Sequence, residues 1–343
     1  MSRKSRREKL RDVMDRLGLG ALLMQRPANF AWYTGGADNR VDHAAALGVA
    51  GILLTPDAEY VLTDNIEAPR MRGEETPRFE IVEHRWYEGP ETTLRALIGD
   101  SPLGTDFAAG YGREVGEEIS PLRYVLDGAA IERYRRLGAD AAAAVSEAAA
   151  SVGPGTDERE AAANLWAACR RRGMYAPVLM AASGARMGLY RHPIPKGGTL
   201  GRRAMLVVCA ERGGLYANLT RILDFEDPDP KTARRQRACD AVLRRMREAT
   251  LPGRTLADTL SDCRRFYAEE GFPDGWRDHH QGGMTGYASR EIVATPETRE
   301  EIELGQSFAW NPSLRAAKAE ETFVLTGDGP EILTGSGRTQ VAG

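Results

Sequence analysis

The sequence predicts an α+β chain in two parts: an alternating α/β domain, then a larger α+β domain built on an internal repeat. Three observations carry this. Short apolar runs alternate with amphipathic stretches over the first third of the chain. Near Asp127 the composition shifts to an alanine-rich segment without proline. Finally, residues 154–174 (PGTDEREAAANLWAACRRRGM) match residues 252–272 (PGRTLADTLSDCRRFYAEEGF) as a weak repeat. The implied limits are 1–125 and 128–330, with 331–343 as a C-terminal tail.

The elements follow in order. Leu10, Val13, Met14 and Leu17 fall at helical spacing over residues 5–18, and Gly18 and Gly20 stop that helix. Residues 21–24 read as a strand. Residues 30–33 are aromatic and end at Gly35-Gly36. Residues 49–55 and 59–63 read as a hairpin around Pro56-Asp57. A helix is expected over 66–72 and a strand over 79–82. Residues 130–151 suit a long helix that ends at Gly153-Pro154-Gly155, and Thr156 with Glu158 and Glu160 starts the next. A second helix pair is expected over 230–250 and the repeat copy. Strands follow the first pair at 177–181, 204–210 and 215–223, and the second at 291–294, 307–310 and 321–326. Two helix pairs and two strand sets imply a pseudo-symmetric domain with a site between its halves.

Composition narrows the function. The chain has 343 residues, 42% hydrophobic and 28% charged, which suits a soluble globular protein of about two domains. Its 46 basic and 49 acidic residues leave a net charge of -3, which argues against a nucleic-acid binder. Cys169, Cys209, Cys239 and Cys263 show no C-x-x-C spacing and fit free thiols in a reducing cytoplasm. The basic N-terminus lacks the apolar run of a signal peptide, and the longest apolar run, 204–210, is too short to span a membrane.

The repeat resembles the pita-bread fold of creatinase, prolidase and aminopeptidase P. Residues 1–125 resemble the creatinase-type N-terminal domain through the stretch Asn29 to Gly35 (NFAWYTG). Residues 128–330 resemble the catalytic domain through Gly214 to Arg221 (GLYANLTR), Asn311-Pro312 and Glu320-Glu321-Thr322. Metallopeptidases of the family hold two metal ions with two aspartates, one histidine and two glutamates. The resemblance places those ligands at Val207, Asn218, Gly283, Asn311 and Glu320. Only the last is a carboxylate, and one carboxylate cannot neutralise two divalent cations. The resemblance therefore implies no metal and no cofactor. Creatinase, which needs no metal, is the better comparison. It assigns substrate-carboxylate binding to Arg290, in Tyr287 to Glu291 (YASRE), and general acid/base work to His192. The creatinase carboxylates that hold a guanidinium correspond to Thr220 and Asn311, so creatine itself is not expected as a substrate.

The remaining candidates also admit plainer roles. His279 and His280 are adjacent; on a strand they would point to opposite faces, so one of the pair, His280, is expected in the site. No further ligand for zinc is apparent beside them. Arg290 and Glu291 should likewise diverge. Glu320, if buried without metal, should have a raised pKa and act as base or acid, or else accept from Arg221 or Arg290. Asn218 and Asn311 can still donate to and accept from a polar substrate. Arg40, beyond the Gly35-Gly36 turn, could reach the partner's site in a creatinase-like dimer.

The expectation is a metal-independent hydrolase that cleaves an amide or amidine C–N bond in a small carboxylate-bearing substrate. His192, Glu320 and His280 are its catalytic candidates, and Arg290, Tyr287, Asn218, Asn311, Glu291 and Arg40 its substrate-binding ones. It would be a cytoplasmic homodimer without nucleic-acid or membrane partners. The alternatives are non-hydrolytic acid/base chemistry, a metal-dependent Xaa-Pro peptidase, and a non-catalytic peptide-binding module.

Overall fold

A computed structural model describes residues 3–335 and 339–340. The chain forms two compact units, Met1–Tyr124 and Val125–Gly343. Among the described residues no helix is long and apolar enough to cross a membrane.

The first unit is a six-stranded mixed sheet in the order β4-β3-β2-β1-β5-β6. Its strands are β1 Ala21–Met24, β2 Ala50–Leu54, β3 Glu59–Asp64, β4 Glu80–His84, β5 Leu103–Thr105 and β6 Arg113–Glu114. The first helix spans Arg3–Leu17 and buries Leu10, Val13 and Met14. The aromatic segment is itself a helix, Pro27–Thr34, with Gly35 in the left-handed conformation as its cap. Its Asn29 is structural: Nδ2 donates to Asp106 Oδ2 at 2.7 Å, and Oδ1 accepts from Arg123 at 2.6 Å. The helix expected over 66–72 is shorter. It covers Ala68–Arg70 and widens into a π turn, Met71–Glu75, which contains Gly73.

The second unit contains two helix pairs, as the repeat predicts. The first pair is Gly128–Ala150 and Glu158–Arg171; the second is Pro230–Ala249 and Leu256–Glu269. Asp157, not Thr156, caps the second helix of the first pair by accepting from Arg159 N–H. Thr255, its counterpart in the repeat, makes a capping box with Asp258. Each cap residue also forms an isolated β-bridge, Asp157 with Thr199 and Thr255 with Glu301. The repeat thus survives as matched backbone contacts.

Two sheets accompany the helix pairs. One is ordered β17-β9-β8-β7, from β7 Tyr175–Ser183, β8 Arg203–Arg212, β9 Leu215–Asp224 and β17 Thr339–Gln340. The other is ordered β11-β10-β12-β15-β16, from β10 Gly282–Thr285, β11 Ile292–Val293, β12 Ser307–Trp310, β15 Glu321–Thr326 and β16 Gly329–Ile332. A hairpin of β13 Ser313–Leu314 and β14 Ala317–Lys318 precedes β15. The sheets meet along β9 and β15, where Thr220 N–H donates to the Glu320 carbonyl at 3.3 Å and Asn218 N–H to Thr322 Oγ1 at 2.8 Å. The tail expected from residue 331 starts later, because Glu331 and Ile332 belong to β16 and Leu333 N–H donates to the Thr322 carbonyl.

The long helix packs tightly on the end of that sheet. A Cβ at Gly138 would lie 2.4 Å from the Leu333 carbonyl oxygen. Gly138→Ala should therefore destabilise the fold by about 1–3 kcal/mol, despite alanine's better helix propensity. Urea denaturation checks this; equal or greater stability contradicts the close approach.

Candidate functional site

The buried charge of the second unit centres on Glu320, which is 2% exposed. Its Oε1 accepts from Arg290 Nη2 at 3.1 Å. Its Oε2 accepts from Thr220 Oγ1 at 2.7 Å and pairs with Lys318 Nζ at 3.0 Å. Thr220 is brought there by β9, Lys318 by the hairpin, and Arg290 by the loop between β10 and β11. Burial alone would raise the carboxyl pKa; the adjacent Lys318 and Arg290 overcome it and hold the group down at about 2. The expectation of a raised pKa is thus reversed, because two buried cations share one carboxylate. Glu320 is an ionised acceptor for Arg290; Arg221, the other expected partner, donates instead to the Gly335 carbonyl at 3.4 Å.

Lys318 was not anticipated. It sits in an alanine- and charge-rich run that resembles a solvated segment, yet it is only 6% exposed. The Arg290 guanidinium also donates from Nη1 to the Ser289 carbonyl at 2.6 Å, and its buried Nε has no partner among the described residues.

Asn218 and Asn311 border this cluster. Val207 and Cys209 alternate on β8, and Cys209 registers with Asn218, so Val207 and Asn218 share a face. Asn218 Nδ2 donates to Thr285 Oγ1 at 3.3 Å, and its buried Oδ1 has no partner among the described residues. Asn311 follows β12, where Trp310 pairs with Glu321, so the register sets Asn311 opposite Glu320. Its Oδ1 is likewise buried without a partner.

The histidines depart most from expectation. No strand holds His279 and His280; they follow a 3-10 turn, Gly275–Asp278, and β10 begins only at Gly282. Both rings therefore lie on one side, with centroids 4.3 Å apart. His192 joins them, its Nε2 lying 3.0 Å from His279 Nε2. His279 Nδ1 faces the His280 carbonyl, which can only accept, so the proton sits on Nδ1. His279 Nε2 then accepts from His192 Nε2–H. Gly282 N–H donates to His280 Nδ1 at 3.3 Å. Burial, reinforced by mutual repulsion, pushes His279 down to about 4; burial and Arg290 push His280 down to about 4. Burial and Lys318 also lower His192. All three are neutral near pH 7.

Other candidates are engaged elsewhere. Tyr287 OH accepts from Arg133 at 2.7 Å. Glu291 does diverge from Arg290: its carboxylate lies beside Gly286. Arg40 belongs to the first unit, where Asp38 accepts from its Nε at 2.8 Å and its Nη2 at 3.1 Å.

Residues 132–329 match the model of metallopeptidase family M24, and residues 6–114 match that of the creatinase/prolidase N-terminal domain. The chain belongs to metallopeptidase family M24. This M24 member is 23% identical to the Xaa-Pro dipeptidase of Pyrococcus furiosus, across 96% of this chain and 98% of that protein. Its fold is similar to the prolidase of Pyrococcus horikoshii, with a TM-score of 0.83, 20% identity and coverage of 98% and 100% of the two chains. It is also similar to the Xaa-Pro dipeptidase of Bacillus anthracis, with a TM-score of 0.83, 17% identity and 99% coverage of both chains.

The donor set does not fit the two metal ions associated with the family. Valine and glycine offer no ligand atom, and both amides are neutral. The one carboxylate is occupied by two cations and a hydroxyl. A Cβ at Gly283 would lie 2.1 Å from the Ile292 carbonyl oxygen, so the backbone there has no room for a side chain. The three histidines are a separate matter. Their ligating atoms lie within 4.8 Å of one another, a third imidazole that the sequence did not reveal because it lies 87 positions away. Such a trio is able to hold one borderline cation such as zinc. The cluster includes no carboxylate, and one shared proton already satisfies the His192–His279 pair.

Two outcomes follow. Between about pH 6.5 and 4, His279 and His280 bind fewer protons folded than unfolded. Stability should therefore fall as pH drops through that window, and the slope should flatten in His279→Gln/His280→Gln. Denaturant midpoints measured across the window test this. Gly283→His should lower the melting temperature without adding bound metal by elemental analysis; a stable, metal-loaded variant contradicts the steric argument.

Proposed function

We propose that this M24 member is a metal-independent hydrolase that cleaves an amide or amidine-like C–N bond in a small carboxylate-bearing substrate. The carrying observation is the buried cluster of Glu320, Arg290, Lys318 and Thr220: the surviving family carboxylate is committed to two cations. Glu320 then has a holding role. It positions Arg290 and Lys318, whose remaining N–H groups face the substrate carboxylate.

His192 is the acid/base, in partnership with His279. With its Nε2–H held by His279, its Nδ1 keeps a lone pair for the proton of an attacking water. Water oxygen bonds to the substrate carbon, the C–N bond breaks, and His192 passes the proton to the departing nitrogen. One water is consumed: an amide gives an acid and an amine, an amidine an amide and an amine. His280, Asn218, Asn311 and Tyr287 shape the surroundings. The protein works as a cytoplasmic homodimer, in which Arg40, held by Asp38, contributes to the partner's site.

A second reading follows from the names of the relatives. A metal-dependent Xaa-Pro dipeptidase is favoured by the likeness to the Pyrococcus furiosus protein along 96% of the chain. The two readings separate in one experiment. Gently purified protein should contain near-zero metal per chain, and chelator should leave turnover unchanged. Solvent oxygen should enter the product, and His192→Ala should lose about 10²- to 10⁴-fold in rate. Two manganese, zinc or cobalt ions per chain with Xaa-Pro cleavage would establish the second reading. Full turnover by His192→Ala would overturn the proposed mechanism.

A further inference from the structure

Two buried amide oxygens at this site have no donor among the described residues, and their surroundings say what kind of donor suits them. Thr285 Oγ1 gives its single proton to the Ala288 carbonyl at 3.1 Å. It must therefore accept from Asn218, which sets the amide with Nδ2 toward Thr285 and Oδ1 away. Asn218 is fully buried and Asn311 is 2% exposed. Each unsatisfied acceptor is costly, so a bound molecule with N–H groups is strongly favoured there.

Charge narrows the class. Glu320 carries one negative charge, Arg290 and Lys318 two positive ones, and the three histidines none. The Glu320–Arg290–Lys318 cluster is net positive by one, and the nearest further carboxylate, Glu291, points away from it toward Gly286. An ammonium or guanidinium group placed there meets like charge; a neutral N–H donor does not.

We infer that the substrate is an acid whose nitrogen-bearing end is neutral, a ureido or carboxamide group, with its N–H bonds on Asn218 Oδ1 and Asn311 Oδ1 and its carboxylate on Arg290 and Lys318. This rests on the proposed reading of Arg290 as the carboxylate anchor. It sets ureido and N-acyl acids ahead of guanidino acids and of dipeptides with a free ammonium.

Ureidoacetate and guanidinoacetate are a matched pair, alike in shape and different in charge. Calorimetric titration of the intact protein should show ureidoacetate binding at least about tenfold tighter, roughly 1.4 kcal/mol. Asn218→Asp and Asn311→Asp each add a carboxylate and should narrow or reverse that preference; thermal melting verifies that they fold. The wild-type comparison needs no variant. Equal or tighter binding of guanidinoacetate, or no binding of ureidoacetate up to millimolar concentration, overturns the inference. Arg290→Met separates the layers. If it abolishes binding of both probes and wild type shows no preference between them, the neutral-head inference falls while the carboxylate anchor stands. Unchanged binding of both probes by Arg290→Met removes the anchor, and the inference with it.

Discussion

The candidate site of the second unit converges on one buried carboxylate. Glu320 sits where β9, the β13–β14 hairpin and the loop after β10 come together, and each contributes one partner. A lone ion at this depth would be strongly unfavourable, and a pair of cations without it would be worse. The three segments are therefore bound by a common electrostatic need, beyond their strand pairing. That need also decides the chemistry. A carboxylate held this firmly in its ionised form is a poor proton carrier, so acid/base work passes to the neutral histidines.

The histidine pair has its own logic. A backbone carbonyl sets the proton of His279, and this sets the donor role of His192. The hydrogen-bonding groups of both rings are thereby ordered by a carbonyl and a second imidazole. An imidazole oriented by another imidazole is more sensitive to its surroundings than one oriented by a carboxylate: Glu320 favours the protonated form of His192, while burial and Lys318 oppose it and prevail.

The fold was largely legible. The Pro-Gly turns, the two helix pairs and the strands 307–310 and 321–326 were all marked by local pattern, since helix caps and apolar periodicity act over a few residues. Much of the site was not. Lys318 looks solvated in its local run, and nothing nearby marks its burial. The meeting of His192 and His279 spans 87 positions. The assumption that His279 and His280 diverge failed because a 3-10 turn, not a strand, precedes Gly282. The ionisation of Glu320 is not legible in the sequence, because its partners come from three separate segments. Local physics writes itself into short windows; electrostatic neighbourhoods do not.

The glycines of β10 have a consequence for the history of this chain. At Gly283 the space of a side chain is taken by the backbone of the neighbouring strand, with the Ile292 carbonyl oxygen 2.1 Å from the place of a Cβ. A position in an open site can gain a side chain by one codon change. Here the neighbouring strand fills that space, so a side chain at 283 would need the strand to move as well. Such a position works as a ratchet: it directs change toward whatever the surrounding amides and cations recognise.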